Sequence, residues 1–401
     1  MLRKRGHMKI CLVSQEYPPE TGGGGIGTQT FLKARGLSAR GHEVHVVSAS
    51  ATPEARTYKD GDATVHRVPY PALAGLGSEQ STSWLALSFT FAQKVAELAQ
   101  QVSFDIMQFP EYCGEGFIYQ TDNFAYRTAR YVVQLHGPLA MVAQHMGWPD
   151  VGSTIHRIGC FMERSVIHHS DLVLASSHNT ARFCAKYYEY PLGDIGVVHS
   201  GIDTDRFSLA AAPADDRFPR ILFVGNFVAS KGFKLLIDAA LELRQQFPRI
   251  TLRMIGKGDP AYVSQIRRRL DEEGAVSSIE LVGYVPYADL PRHYGWCDFF
   301  AGPSTFEPGP GNVYLEAMSC GKPVIACDSA GTPEVVLHEQ TGLLVPPENS
   351  AALVQAIDRL ARDEALRRQL GQAGRQRIEA NFSIAKYLDK VEQHYTELLR
   401  R

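Results

Sequence analysis

The chain has 401 residues, 44% of them apolar, enough for a sizeable core and too many for one ordinary domain. Lysine and arginine number 41 against 43 aspartates and glutamates, so the basic surplus of a nucleic-acid binder is absent. Seven scattered cysteines without a CxxC pair argue against a disulfide framework or a structural zinc site, and favour a reducing, cytoplasmic setting.

The start is basic, but the apolar run behind it (Ile10 to Val13) is too short for a signal peptide, and Met8 is an alternative start. No later run approaches the ~20 apolar residues that span a bilayer. A strand over Lys9–Ser14 leads through a glycine-rich loop into a helix over Gly27–Arg40, and a second strand covers Val44–Ser48. Further strands are predicted at Asp105–Gln108, Tyr131–Leu135 and Asp171–Ala175, with helices at Leu85–Gln101 and Thr154–His168. The segment 206–219, rich in Ala, Pro and Asp, reads as a linker. The alternation then restarts: strands at Arg220–Val224, Thr251–Ile255, Ile279–Leu281, Asp298–Ala301 and Pro323–Ala326, with helices at Phe233–Gln246 and Tyr262–Glu273. One long helix is expected over Ala351–Ala380. Another, over Ile384–Arg400, places Tyr387, Val391, Tyr395 and Leu398 on one face.

This pattern predicts an α/β protein of two doubly wound, Rossmann-like domains, 1–205 and 220–383, set face to face with a cleft between them. The helix 384–401 is expected to pack back on the first domain.

Gly22 to Gly27 contains a formal GxGxxG. The dinucleotide reading fails, because Gln15–Thr21 separates strand from glycines and Val44–Ser48 ends without an acidic residue. What is left is a loop where backbone can approach a phosphate or sugar, or a merely flexible one. In the second half, Pro303 to Ala326 runs from a strand end through a Gly/Pro loop to a helix starting at Val313, with Asn312 as N-cap. Free N–H groups there suit a diphosphate. Glu316, one turn inside, could accept bonds from ribose hydroxyls, and Glu307 could contact a sugar hydroxyl. Either could equally be an ordinary capping or salt-bridging carboxylate. Gly225-Asn226 and Lys231-Gly232 form a second anion-binding element, and Gly256-Lys257-Gly258 a weaker one. Asp203-Thr204-Asp205 spells a DxD, but its place ahead of the linker favours a structural role. His168-His169 lie on different helix faces, and no metal site is expected.

Glu307 to Ala326 resembles the donor-binding signature of the family 4 glycosyltransferases, a retaining family with the GT-B fold. Tyr17-Pro18-Pro19 with the glycine loop, Gly41-His42-Glu43-Val44, His136-Gly137, Ser200-Gly201-Ile202-Asp203, Val224-Gly225 with Lys231-Gly232, and Gly283-Tyr284-Val285 match in order. The resemblance implies a nucleotide-diphosphate sugar as co-substrate, UDP by family habit, with no further cofactor. Lys231 would bind the diphosphate, Glu316 the ribose and Glu307 the transferred sugar. Gly309, Gly311, Asn312 and Val313 would offer backbone N–H groups, and the chain near Val285 would touch the base. His136 would sit beside the anomeric carbon, while Gly23 and Gly24 of the glycine loop would close over the phosphates.

Two departures stand out. The eight residues Pro308–Leu315 between the glutamates are one more than the family's usual spacing. Asn226 also replaces a customary arginine beside the lysine, and Lys257 is the candidate to compensate for it. The acceptor, whether glycan, lipid or small molecule, is not specified, although Glu111, Tyr112 and His145 could line its pocket. Arg127 and Arg130 allow peripheral membrane contact, with ordinary solvated surface the preferred reading. A catalytically silent nucleotide-binding partner and a nucleotide-sugar epimerase are the alternatives.

Overall fold

A computed structural model describes residues 6–22, 24–70, 80–122, 128–209 and 216–401. The chain forms two compact units, Met1–Gly201 with Ile384–Arg401, and Ile202–Ser383.

The first unit runs β1 (Lys9–Val13), α1 (Gly25–Ala39), β2 (Glu43–Ser50), β3 (Arg56–Asp60), β4 (Ala63–Pro69), α2 (Gln80–Ala99) and β5 (Ile106–Pro110). It continues through α3 (Phe117–Asp122), β6 (Arg130–Leu135), α4 (Leu139–Met146), α5 (Thr154–His168), β7 (Leu172–Ala175), α6 (His178–Tyr187) and β8 (Ile195–Val197). The strands form one sheet in the order β3-β4-β2-β1-β5-β6-β7-β8. All neighbours are parallel except β3 and β4. Parallel strands covered on both faces read as continuous apolar runs, which is why Ile10 to Val13 are all buried. The β3–β4 hairpin was not among the expected strands. Its turn follows Asp60, with Gly61 at φ +58°, so the Asp-Gly pair carried a readable signal.

The second unit runs β9 (Arg220–Val224), α7 (Phe233–Leu243), β10 (Thr251–Ile255), α8 (Pro260–Glu272), β11 (Ile279–Gly283), α9 (Leu290–Trp296) and β12 (Phe299–Gly302). It ends with α10 (Asn312–Ser319), β13 (Val324–Cys327), β14 (Gly342–Val345), α11 (Ser350–Arg362) and α12 (Glu364–Asn381). Its sheet is all parallel in the order β11-β10-β9-β12-β13-β14. The strand order reverses between β9 and β12, and in the first unit between β1 and β5. Doubly wound sheets bind ligands at the carboxyl ends of the strands flanking such a reversal.

The single helix expected over Ala351–Ala380 is two helices. Asp363 is extended (φ −106°, ψ 93°) and its carboxylate accepts the Leu366 N–H at 2.8 Å, capping α12. The start of the expected linker is core: Phe207 is buried, and its carbonyl accepts from Ser319 Oγ (2.6 Å) and Arg375 Nη1 (2.8 Å). Residues 210–215 of that segment lie outside the described residues.

Helix α13 (Ile384–Arg400) belongs to the first unit. Tyr387, Val391, Tyr395 and Leu398 are buried on it, each contributing about 1.5–3 kcal/mol if fully removed from water. Leu388 fills the space a Cβ on Gly36 of α1 would need, 2.4 Å from Leu388 Cδ1. Arg40 Nη1 pairs with Glu392 (2.8 Å) and Asp389 (3.0 Å) on α13. Among the described residues no helix is long and apolar enough to cross a membrane.

Candidate active site

At the β9/β12 reversal the turn after β9 and the loop after β12 are stitched together. Thr305 N donates to Ser230 O (2.8 Å), while Gly225 N ties the start of the turn to Ile255 O at the end of β10 (2.9 Å). The turn ends at Lys231, and Gly232 caps α7 with φ +65°. A Cβ on Gly232 would lie 2.0 Å from the Pro303 carbonyl oxygen. Gly232→Ala is therefore expected to destabilise the protein by about 2–4 kcal/mol, from strain plus steric overlap, seen as a lowered denaturant midpoint.

This stitching brings two of the expected site residues into contact. Lys231 Nζ donates to Glu307 Oε1 at 2.5 Å, with the two side chains 25% and 11% exposed. The longer glutamate spacing therefore does not carry Glu307 away from the lysine. The loop is folded inward: Glu307 O accepts Gly331 N (2.9 Å), and a Cβ on Gly331 would lie 2.4 Å from Gly309 O. Gly311, at φ +71°, is the N-cap of α10, so the helix starts at Asn312, one residue earlier than expected. Gly311 also leaves room for Tyr314, whose Oη donates to Gly302 O (2.7 Å) and pins the helix to β12.

Glu316 is buried on α10, and Tyr294 Oη donates to its Oε2 at 2.7 Å. Burial pushes its carboxyl up to about 8, with the Tyr294 bond opposing. The native state keeps this proton between about pH 4.5, the ordinary value, and pH 8, while the unfolded chain has released it. Stability is therefore lost as pH rises through that window. Glu316→Gln is expected to melt above wild type near pH 8, with the gap closing toward pH 4; a gap independent of pH contradicts this.

The Val285 side chain is buried in the core, so only its backbone is available to a ligand. Beside it, Tyr284 is 56% exposed and Lys257 Nζ lies 4.3 Å from its ring centroid. They border a cavity of about 380 Å³ also lined by Phe227, Gly256, Gly258 and Gly283. Lys257 thus engages an aromatic ring, and Asn226 is exposed.

In the first unit His136 follows β6. Burial, with the Lys33 ammonium adding to it, takes its imidazole down to about 3, so the ring is neutral at any working pH. Glu111, expected to line an acceptor pocket, is fully buried and accepts the N–H groups of His136 and Gly137, both at 2.6 Å. Tyr112 is partly exposed and His145 exposed. Sequence reasoning missed the role of Glu111, although its place directly after β5, at the β1/β5 reversal, marked it.

Gly24 is the N-cap of α1, and Gly23 lies outside the described residues. The start of that helix, expected to face a phosphate or sugar, holds the chain's own Glu16. Its Oε2 accepts Gly27 N at 3.2 Å, and a Cβ on Gly24 would lie 3.0 Å from it.

The DxD carboxylate of Asp203 accepts the N–H groups of Asp205 (3.2 Å) and Arg206 (3.0 Å), which makes it a turn-former. His168 and His169 bond separately, to Tyr188 O and Ser165 O, both at 2.8 Å. Arg130 is paired with Asp171 at 3.5 Å, and Arg127 lies outside the described residues.

Two doubly wound, Rossmann-like units are the architecture of the GT-B glycosyltransferases. The chain belongs to the family 4-like glycosyltransferases: residues 23–206 match the Glycosyltransferase Family 4 model and 205–377 the model of glycosyl transferases group 1. It is 27% identical over 385 residues to the GDP-mannose-dependent alpha-(1-6)-phosphatidylinositol monomannoside mannosyltransferase of Mycolicibacterium smegmatis, covering 91% of this chain and 92% of that one. A glycogen synthase of Mycobacterium tuberculosis is 25% identical over 392 residues, 94% and 91% of the two chains. Sucrose-phosphate synthase from Thermosynechococcus elongatus shares the fold with a TM-score of 0.83 at 23% identity, covering 98% of this chain and all of that one.

Proposed function

We propose that this glycosyltransferase takes a nucleoside diphosphate sugar, UDP-sugars favoured, and transfers the sugar to a hydroxyl of a glycan, lipid or small-molecule acceptor with retention of configuration. The Lys231–Glu307 contact at the β9/β12 reversal carries this reading. An arriving diphosphate takes over the lysine, which frees Glu307 for the sugar hydroxyls. Gly309, Gly311, Asn312 and Val313 offer backbone N–H groups at the start of α10, and Glu316 takes the ribose. The nucleobase rests near the Val285 backbone, against Tyr284.

As the bond from C1 to the phosphate oxygen breaks, the electron pair leaves with the diphosphate, where Lys231 and the helix N-terminus stabilise it. The acceptor oxygen bonds to C1 on the same face and gives its proton to the departing phosphate. His136, held neutral, serves as a hydrogen-bonding group at the sugar rather than as an acid.

The mannosyltransferase relative is named for GDP-mannose, which makes GDP-sugars the rival donors. Nucleotide release from UDP-glucose, ADP-glucose and GDP-mannose, with mono- and oligosaccharide acceptors and glycolipid vesicles, tests the reading. Retained anomeric configuration in the product supports it, and inversion sinks the stereochemical part. The exposed Asn226 favours the silent-partner alternative; tight nucleotide binding without turnover on any donor would select it. An altered sugar nucleotide formed without acceptor would select an epimerase. Seven buried free thiols support a cytoplasmic location. The Arg130–Asp171 pairing supports an ordinary solvated surface there rather than membrane contact.

A further inference from the structure

The turn that carries His136 is held by two buried carboxylates from different elements. Glu111, at the end of β5, accepts the N–H groups of His136 and Gly137 on one oxygen, each at 2.6 Å. Glu163, on α5, accepts the Leu139 N–H on both oxygens (3.0 and 2.9 Å), the Cys113 N–H (3.1 Å) and the Tyr188 hydroxyl. Both glutamates are fully buried.

The segment they grip is short, from His136 to the first residue of α4. Gly114, at φ +63°, lets the β5 end turn tightly against α5, since a Cβ there would lie 2.5 Å from Met162 Cβ. The second oxygen of Glu111 is buried without a hydrogen-bond partner. Burial raises both carboxyls, Glu111 to about 7, and Glu163 is raised further by Glu111's charge. Carboxyls this deep cost folding free energy, as desolvated charges when ionised and as imperfectly paired polar groups when protonated. A core built for stability alone would use one carboxylate or a backbone acceptor, so the arrangement trades stability for a fixed turn.

We propose that Glu111 and Glu163 are positioning residues of the transferase, a paired cradle that fixes the His136–Leu139 turn so that His136 meets the sugar in one orientation. This rests on the assignment of His136 to the reacting centre. Misplacing a reacting group by about 1 Å costs on the order of 100-fold in rate, and the cradle leaves the donor contacts of the second unit untouched.

The test uses the full chain with Glu111→Leu, Glu111→Gln, Glu163→Gln and His136→Ala. Hydrogen exchange needs no donor: in Glu111→Leu the amides of His136 and Gly137 should exchange at least about 10-fold faster than in wild type. Glu111→Gln, which keeps an acceptor oxygen, should restore much of that protection. Glu163→Gln should expose Leu139 in preference to His136. Unchanged protection of His136 and Gly137 in Glu111→Leu, or unchanged protection of Leu139 in Glu163→Gln if the leucine variant does not fold, overturns the cradle.

With whichever of UDP-glucose or GDP-mannose the wild type turns over, Glu111→Leu should lower kcat by about 10–100-fold at unchanged donor KM. It should add nothing in the His136→Ala background. Full kcat in Glu111→Leu beside a crippled His136→Ala overturns this inference alone. Full activity in His136→Ala overturns the assignment of His136, and the inference with it.

Discussion

Lys231→Ala is expected to lower turnover by about 100–1,000-fold, the scale of removing one preorganised group from a developing negative charge. The lysine is fixed by the turn it ends: Lys231 N donates to Val228 O at 3.0 Å, and Gly232 locks the entry to α7. Its ammonium is already aimed, because Glu307 holds it at 2.5 Å. In the proposed reading, little reorganisation would then be needed for a diphosphate to replace the carboxylate, and that would be the source of the rate. Asn226, where the family has arginine, leaves Lys231 with more of the charge to neutralise, which places the effect toward the upper end. Lys231→Arg should recover part of the activity, since it restores charge but not the point geometry of the ammonium. Circular dichroism and steady-state kinetics with the cognate donor check this. A folded Lys231→Ala enzyme within a few-fold of wild-type kcat/KM contradicts it.

Glu316→Ala is expected to weaken nucleoside diphosphate binding by about 10–100-fold, the worth of hydrogen bonds to a charged group. The buried carboxyl titrates near 8 in the free protein. Binding two ribose hydroxyls favours its charged form, so affinity should rise with pH up to about that value. Glu316→Gln should lose this pH dependence while being the more stable protein at alkaline pH, so that stability and affinity separate in one variant. Calorimetric titrations at several pH values check it. An affinity in Glu316→Ala equal to wild type would remove Glu316 from the site.

The second unit was legible in outline because its strands are short apolar runs separated by Gly-rich turns, each turn at a strand's carboxyl end. Lys231, Glu307 and Glu316 could be picked out for the same reason. That Lys231 and Glu307 touch was not legible, because 75 residues separate them and the contact depends on the stitching of Thr305 to Ser230. The break at Asp363 hid inside a long amphipathic pattern, as a capping aspartate interrupts polarity very little. The short strands β8 and β14 lie at or below the length at which periodicity decides, whereas the β3–β4 hairpin was missed although its Asp-Gly turn was readable. In the first unit, neither Glu16 at the start of α1 nor Glu163 beneath the His136 turn could be anticipated. A buried carboxylate satisfied by backbone N–H groups leaves no pattern in the residues around it.

The most direct test is calorimetric titration of UDP, ADP and GDP into wild type, Lys231→Ala and Glu316→Ala. One nucleotide is expected to bind the wild type selectively, and both variants are expected to lose at least about 10-fold in affinity while remaining folded. Binding that both variants retain in full, or no binding of any of the three to a folded wild type, would contradict the donor site placed on Lys231 and Glu316.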